Sequence, residues 1–204
     1  MIIYWLVFLF PGLLALIGNR RTQFNKSGYN SAALDPVWWL IIVILTIFIG
    51  FRYEVGGDWE GYIMVYDRSQ LQEFGWGRDP GYLLIQWMAE YFNWGIVGVN
   101  VVCALIFSIG LAVFCRSLPR PLLALSISIP YLVIVVAMGY TRQGVALGLA
   151  MIGLVALSRN QNKWFVFWVL LGVTMHKTAV LLLPIAALTA TQNRTWTFIW
   201  LGVI

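Results

Sequence analysis

The sequence predicts an all-α protein, a polytopic bundle of transmembrane helices with a folded extracytoplasmic loop between the second and third spans. Of its 204 residues, 61% are apolar and 10% are charged, whereas soluble domains carry roughly 25% charged residues. Charged side chains this scarce cannot cover the surface of a soluble protein, so we expect an integral membrane protein. A transmembrane helix needs about 20 mainly apolar residues, which leaves room for several spans in a single membrane domain, residues 1–204.

The spans are predicted from the apolar runs between charged residues. The first run has neither a basic N-terminal region nor a small-residue cleavage site, so we interpret it as a span and not as a signal peptide. Several runs are short, which thinning of the bilayer or irregular helix ends would accommodate. The predicted spans are residues 2–17, 37–51, 95–115, 122–138, 143–157, 164–175 and 178–190. A last run, residues 196–204, is too short to cross, and we interpret it as a partial span of a C-terminally truncated chain.

The basic residues predict the orientation. Alternate connections fall on opposite sides of the membrane, and cytoplasmic loops carry the excess of Lys and Arg. One set of connections holds eight basic residues: Arg20, Arg21, Lys26, Arg116, Arg120, Arg159, Lys163 and Arg194. The other set holds five: Arg52, Arg68, Arg78, Arg142 and Lys177. We therefore expect the first set in the cytoplasm and the N-terminus outside.

The connection over residues 52–94 is predicted to be a folded extracytoplasmic loop. It contains seven of the eight acidic residues and many aromatic ones, a composition unlike that of disordered segments. Gly56 and Gly57 allow a tight turn, after which Asp58 can cap a short helix. Asp79 followed by Pro80 predicts the start of another helix.

This second loop helix is predicted to be amphipathic. Its polar face would carry Gln86, Glu90 and Asn93, and its apolar face would carry Leu84, Trp87, Met88 and Tyr91. Such a helix would lie in the membrane interface. The alternative is that it extends the third span outward.

Two breaks between spans hold the candidate catalytic groups. Arg142 stands at the start of the span that begins at Gln143, where a cation opposes the helix dipole unless an anion is also bound. This placement favours a ligand, the alternative being an Arg that extends towards the lipid head groups. The other break, on the same side, contains His176 and Lys177. His176 would act there as a general base or be purely structural.

A ligand on the outer side would meet several arginines. Their forked guanidinium groups bind phosphate oxygens well, and a lipid with a diphosphate head group carries its charge at this depth. Acidic residues of the loop, above all Asp58, would either steer a sugar hydroxyl or pair with these arginines.

Other types of site find no support in the sequence. Cys103 and Cys115 are twelve residues apart on one apolar span, too far apart for a disulfide, and are predicted to be core residues. We find no metal-ligand spacing and no phosphate-binding loop, and we expect no cofactor. The basic residues are scattered at span ends, which excludes a nucleic-acid-binding surface. Pro130 is predicted to kink the fourth span, and Gly144 and Gly148 to form a small packing face.

Three segments carry a recognisable pattern: FRYEVGGDWEGYIMVYD (residues 51–67), YTRQGVALGLAM (residues 140–151) and GVTMHKTAVLLLP (residues 172–184). In content, order and spacing they resemble the EpsG family of bacterial exopolysaccharide proteins, over about residues 37–184. The family pattern has an Arg and a Gly-x-Asp with a following Tyr, then an Arg-Gln opening a middle span, then a His before a later span. The matching residues are Arg52, Gly57, Asp58, Tyr62, Arg142, Gln143 and His176.

The resemblance implies an enzyme similar to Wzy-type polymerases, which polymerise undecaprenyl-diphosphate-linked oligosaccharides on the outer side of the cytoplasmic membrane. On this hypothesis Arg142, with Arg52 and Lys177, holds the donor diphosphate, and His176 or Asp58 accepts a proton from the acceptor sugar. Further substrate contacts would come from Trp59, Tyr62 and Gln143.

Two alternative functions fit the same features. One is a flippase or transporter of lipid-linked sugars, because broken helices whose N-termini face an anionic substrate also occur in transporters. The other is a non-catalytic subunit of a polysaccharide synthase. The expected partners are the lipid bilayer, the lipid-linked oligosaccharide and other polysaccharide-assembly membrane proteins.

Overall fold

The structure, a computed structural model, describes residues 2–17, 35–56 and 79–184. Every regular element in these ranges is helical, which confirms the predicted all-α class for them. The α-helices are α1 (Ile2–Ile17), α2 (Pro36–Gly50), α3 (Pro80–Tyr91), α4 (Gly95–Ser117), α5 (Pro121–Ser128), α6 (Thr141–Ser158) and α7 (Asn162–Met175). A π-helical segment, Ile129–Ala137, continues α5, and a 3₁₀-helix, Lys177–Leu182, follows α7.

The helix bounds agree with the first six predicted spans to within two residues at each end. Helices α4 and α6 are long and apolar enough to cross a membrane, and shorter apolar helices of 10–17 residues are α1, α2, α7 and the continuous α5 and π-helical stretch. The span predicted over residues 178–190 begins as the 3₁₀-helix. Its part beyond residue 184, together with the run 196–204, lies outside the described residues.

Helices α4 and α6 cross closely because glycines lie at the contact. A Cβ atom on Gly148 would lie 2.7 Å from the Cα atom of Phe107, and one on Gly110 would overlap the Gly148 carbonyl group. The small packing face predicted on α6 is therefore confirmed at Gly148. Gly144 instead faces the π-helical segment, where a Cβ atom would lie 3.2 Å from the Cα atom of Ala137.

Helix α2 runs antiparallel to α4. At one end the Asp35 carboxylate lies 3.6 Å from the Arg116 guanidinium group, and at the other a Cβ atom on Gly50 would lie 2.9 Å from the Cα atom of Val101. Large apolar side chains on the outer faces of α1 and α2 remain exposed, as expected where a bundle faces lipid. They include Trp5, Leu6, Phe10, Trp39, Leu40 and Ile47.

The helix of the fourth span changes from α to π geometry at Ile129, next to Pro130. Proline has no N–H to donate to the preceding turn, and its ring collides with that turn, so the regular α-helical ladder cannot continue there. The sequence predicts a kink at Pro130, and the structure has a change of helix type at this position.

Helix α3 is a separate helix and not an outward extension of α4. The chain turns between them at Asn93 and Gly95, which both have positive φ angles, 55° and 62°. The residues of its predicted apolar face are exposed, with Trp87 58% and Tyr91 70% exposed. The predicted polar face is wrong in one respect: Gln86 is 4% exposed, because the side of α3 that carries it packs against the bundle.

Candidate active site at one end of the bundle

Several helix ends meet at one end of the bundle, which we call the Arg142 end. It comprises the end of α2, the end of the π-helical segment, the starts of α3 and α6, and the end of α7. Its defining residues are Arg52, Asp79, Tyr82, Ala137, Thr141, Arg142 and His176. The Asp35–Arg116 ion pair lies at the opposite end of α2 and α4.

Arg52 fastens the end of α2 to the junction between the π-helical segment and α6. It is 6% exposed, and its guanidinium group donates hydrogen bonds to the Ala137 carbonyl at 2.7 Å and to the Thr141 hydroxyl. A guanidinium group bonded to a terminal helix carbonyl also offsets the negative partial charge at that terminus. Arg52 was predicted to bind the diphosphate, but two of its guanidinium nitrogens bind oxygens of the protein.

Arg142 lies in the first turn of α6 and is contacted by the first turn of α3. Its Nη1 atom is 3.6 Å from Oδ2 of Asp79, and its Cζ atom is 4.9 Å from the centroid of the Tyr82 ring. Tyr82 is buried, whereas 28% of the Arg142 side chain is exposed. A cation at a helix start opposes the dipole, and the Asp79 carboxylate supplies the compensating anion. The pairing of a loop acid with an arginine is therefore observed for Asp79.

The first turn of α3 also contacts the end of α7. A Cβ atom on Gly81 would lie 2.5 Å from the Thr174 hydroxyl oxygen and 2.9 Å from Cε of Met175. The approach is therefore closer than a larger residue would allow without displacing these side chains. His176 follows Met175 with φ −159° and is partly exposed, and Lys177 beside it is exposed. Helix α3 thus brings the start of α6 and the end of α7 to the same end of the bundle.

The segment after α2 passes over the turn between the π-helical segment and α6. Gly56 has φ +105°, and a Cβ atom there would lie 2.8 Å from the Met138 carbonyl oxygen and 2.9 Å from the Cα atom of Gly139. The positive φ and the close approach both favour glycine. Gly56 lies in a bend, as expected for the predicted turn, while Gly57 and Asp58 lie outside the described residues.

The sequence of the Arg142 end lies within a match to a known protein family. The EpsG family model matches residues 37–204, a range that includes every residue of the Arg142 end. The chain belongs to the EpsG family. Comparisons with curated proteins and with solved structures gave no significant match.

Membership in the EpsG family agrees with the apolar helices and indicates a membrane protein related to exopolysaccharide polymerisation. Of the residues that match the EpsG pattern, the structure brings Arg52, Arg142 and His176 to one end of the bundle, and it places Gln143 there with an exposed side chain. The other predicted site residues lie outside the described residues: Asp58, Trp59, Tyr62, Arg68 and Arg78.

Two residues at this end of the bundle, Asp79 and Asn100, were not placed in the site from the sequence. Asp79 was predicted only as a helix cap, and its ion pair depends on contacts that the sequence does not show. Asn100 is 4% exposed and lines a small pocket with Arg52, Cys103 and Thr141, which has room for about one water molecule. A polar residue inside a predicted span is itself a signal of function, so Asn100 was detectable. Cys103 is buried and unbridged, which confirms its assignment to the core.

Proposed function

We propose that this EpsG-family protein polymerises undecaprenyl-diphosphate-linked oligosaccharide repeat units by glycosyl transfer on the outer face of the bacterial cytoplasmic membrane. The Arg142 end supports the proposal most strongly, since it holds a partly exposed Arg142 and a partly exposed His176 at one end of an apolar bundle. A lipid-linked diphosphate needs cationic groups near the head-group level and an apolar surface for its hydrocarbon chain. In this proposal the protein is multi-pass, and residues 52–94 form a folded loop outside the cell.

The proposed reaction is a substitution at the anomeric carbon of the donor sugar. The hydroxyl oxygen of the acceptor sugar forms a bond to that carbon. The bond between the carbon and the diphosphate oxygen breaks, and undecaprenyl diphosphate leaves with the electron pair. The hydroxyl proton passes to a general base, for which His176 and Asp58 are the candidates.

Arg142 is proposed to stabilise the negative charge that develops on the leaving diphosphate. A guanidinium group held in place before the reaction stabilises such charge without having to reorient during it. The contacts of Arg142 with Asp79 and Tyr82 supply this restraint. Lys177 and Gln143, both exposed at the same end, are proposed to bind the substrate, and Trp59 and Tyr62 to pack against its sugar rings.

Arg52 fits a supporting role in this mechanism. Its bonds to Ala137 and Thr141 fix the start of α6, and Arg142 is the second residue of that helix. A shift of about 1 Å in a group that positions substrate can reduce the rate about a hundredfold, so Arg52 would act mainly through the position of Arg142.

The test is elongation of an undecaprenyl-diphosphate oligosaccharide by the purified full-length protein in lipid nanodiscs, with product length measured by mass spectrometry. We expect the wild type to elongate the substrate and Arg142→Ala to lower the rate by about a hundredfold or more. His176→Ala should also lower it if His176 is the base. Arg116→Ala is the matched control, because Arg116 also lies 3.6 Å from an Asp carboxylate but at the opposite end, and it should elongate like the wild type.

The remaining outcomes contradict specific parts of the proposal. A wild-type protein that never elongates the oligosaccharide is not a polymerase by itself. Movement of the lipid-linked sugar across the bilayer without elongation would indicate a flippase, and elongation only after addition of a second membrane protein would indicate a non-catalytic subunit. Wild-type rates in both Arg142→Ala and His176→Ala would show that the site is elsewhere.

A further inference from the structure

Asp79 does not use its side chain to cap its own helix. It is the N-cap residue of α3, where an Asp side chain ordinarily accepts a hydrogen bond from an N–H of the first helical turn. Here the side chain makes no such bond. Its carboxylate instead lies 3.6 Å from the Arg142 guanidinium group, and only 10% of the side chain is exposed. The carboxylate therefore serves Arg142 and not its own helix.

Two side chains at the start of α3 restrain Arg142, those of Asp79 and Tyr82. Tyr82 is the third residue of α3, and Asp79 is the N-cap residue just before the helix. The Tyr82 ring is 2% exposed and is contacted by the guanidinium group, whose Cζ atom lies 4.9 Å from the ring centroid. The ring and the carboxylate together limit how Arg142 can turn, while more than a quarter of its side chain, 28%, remains accessible.

We infer that Asp79 is a positioning residue for Arg142. Its carboxylate holds the guanidinium group ready for the donor diphosphate, and it competes with that diphosphate for the guanidinium group. This inference rests on the proposed function. A competing carboxylate weakens binding of the diphosphate in the ground state. It also re-forms its ion pair when the product diphosphate leaves, so it favours release.

The carboxylate raises KM by weakening donor binding, and it raises kcat by orienting Arg142 and favouring product release. Its removal should therefore change both constants measurably. Asp79→Asn keeps the size of the side chain and removes its charge. We expect the KM for the lipid-linked donor to fall about two- to fivefold, the range for loss of a partly exposed ion pair. The kcat should fall about tenfold or more, because the guanidinium group is less well oriented and product release is slower. Asp79→Glu retains the charge and should restore most of the kcat.

Asp35→Asn is the matched control. Asp35 is also an N-cap residue without a side-chain cap bond, and it also lies 3.6 Å from an arginine, Arg116, at the opposite end of the bundle. Its substitution should leave both KM and kcat at wild-type values. A purely structural role for Asp79 predicts a lower kcat with lower thermal stability and no decrease in KM, and this result would overturn the inference.

Direct binding separates this inference from the proposed function. The measurement is the Kd of undecaprenyl diphosphate for the full-length protein in nanodiscs, in the wild-type and Arg142→Ala backgrounds. We expect Asp79→Asn to bind about two- to fivefold more tightly than the wild type and to have no effect once Arg142 is removed. No tightening, or the same change in both backgrounds, overturns the inference. Absence of elongation by the wild type contradicts the proposed function alone, since the binding comparison does not depend on turnover.

Discussion

The Thr141 hydroxyl group helps to hold the residues of the Arg142 end in place. It is buried at the first position of α6 and accepts a hydrogen bond from Arg52. A hydrogen bond to a charged group contributes about 1.5–3 kcal/mol, and a buried donor that loses its acceptor is costly. The hydroxyl therefore links the end of α2 to the helix that carries Arg142.

Thr141→Val tests this link because valine has nearly the shape of threonine without the hydroxyl. We expect the free energy of unfolding in detergent to fall by about 1–3 kcal/mol and elongation to fall with it. Thr46→Val is the control: the Thr46 hydroxyl is also buried but has no hydrogen-bond partner among the described residues, so its loss should be neutral or stabilising. Equal effects of the two substitutions in denaturation measurements would contradict the role given to Thr141.

Among the helices, the crossing of α4 and α6 determines the distance between the site residues of one helix and those of the other. The pocket residues Asn100 and Cys103 belong to α4, whereas Thr141 and Gly144 belong to α6. At Gly148 the two helices are too close for a Cβ atom to fit, and the contact there is with the backbone of Phe107. Backbone atoms cannot move aside as the end of a flexible side chain can, so any added atom must separate the helices.

Gly148→Ala is expected to destabilise the bundle by about 1–3 kcal/mol, the usual cost of overpacking. Gly12→Ala in α1 is the control, since its Cβ atom would lie 3.7 Å from the Ser126 hydroxyl oxygen, an ordinary contact, and alanine favours helix formation. Thermal unfolding in detergent measures both variants. A Gly148→Ala protein as stable as Gly12→Ala would mean that α4 and α6 do not pack closely at Gly148.

The helices could be predicted because a local run of apolar residues is enough to indicate a membrane span. The bounds of α4 and α6 follow from where apolar residues begin and end, and both match the predicted spans to within two residues. The effect of Pro130 was only partly predictable. The missing N–H is visible in the sequence, but whether a kink or a π-helical segment results depends on which carbonyl groups the following N–H groups reach.

The contacts within the site were not predictable, because they depend on how the helices pack. The position of Arg142 at a helix start favoured an anion beside it, but the loop holds seven acidic residues, and the one singled out from the sequence was Asp58 and not Asp79. Gln86 was assigned to a polar face because its neighbours there are polar. The contacts of Tyr82 with Arg142 and of Gly81 with α7 turn the Gln86 side of α3 towards the bundle instead.

The charged residues that the structure describes lie at two ends of the molecule. The position of these ends relative to the membrane is a separate prediction. The turn at Asn93 precedes α4, and the turn at Asn160 follows α6. Helix α4, the α5 and π-helical stretch, and α6 lie between them, so three crossings separate the two turns if each crosses the membrane. An odd number of crossings places Asn93 and Asn160 on opposite sides, and the distribution of basic residues places Asn93 outside.

Labelling of single introduced cysteines tests this topology with closely matched sites. Asn93 and Asn160 are both exposed and both have positive φ angles, 55° and 58°, so substitution by cysteine strains the two turns alike. The native Cys103 and Cys115 are buried, so the wild type should remain unlabelled. In right-side-out membrane vesicles a membrane-impermeant maleimide should label Asn93→Cys but not Asn160→Cys, and permeabilised vesicles should allow both to be labelled. Labelling of Asn160→Cys alone in sealed vesicles would reverse the orientation. Labelling of both would mean that the helices between the turns do not cross the membrane an odd number of times, and the outer-face site would then have no basis.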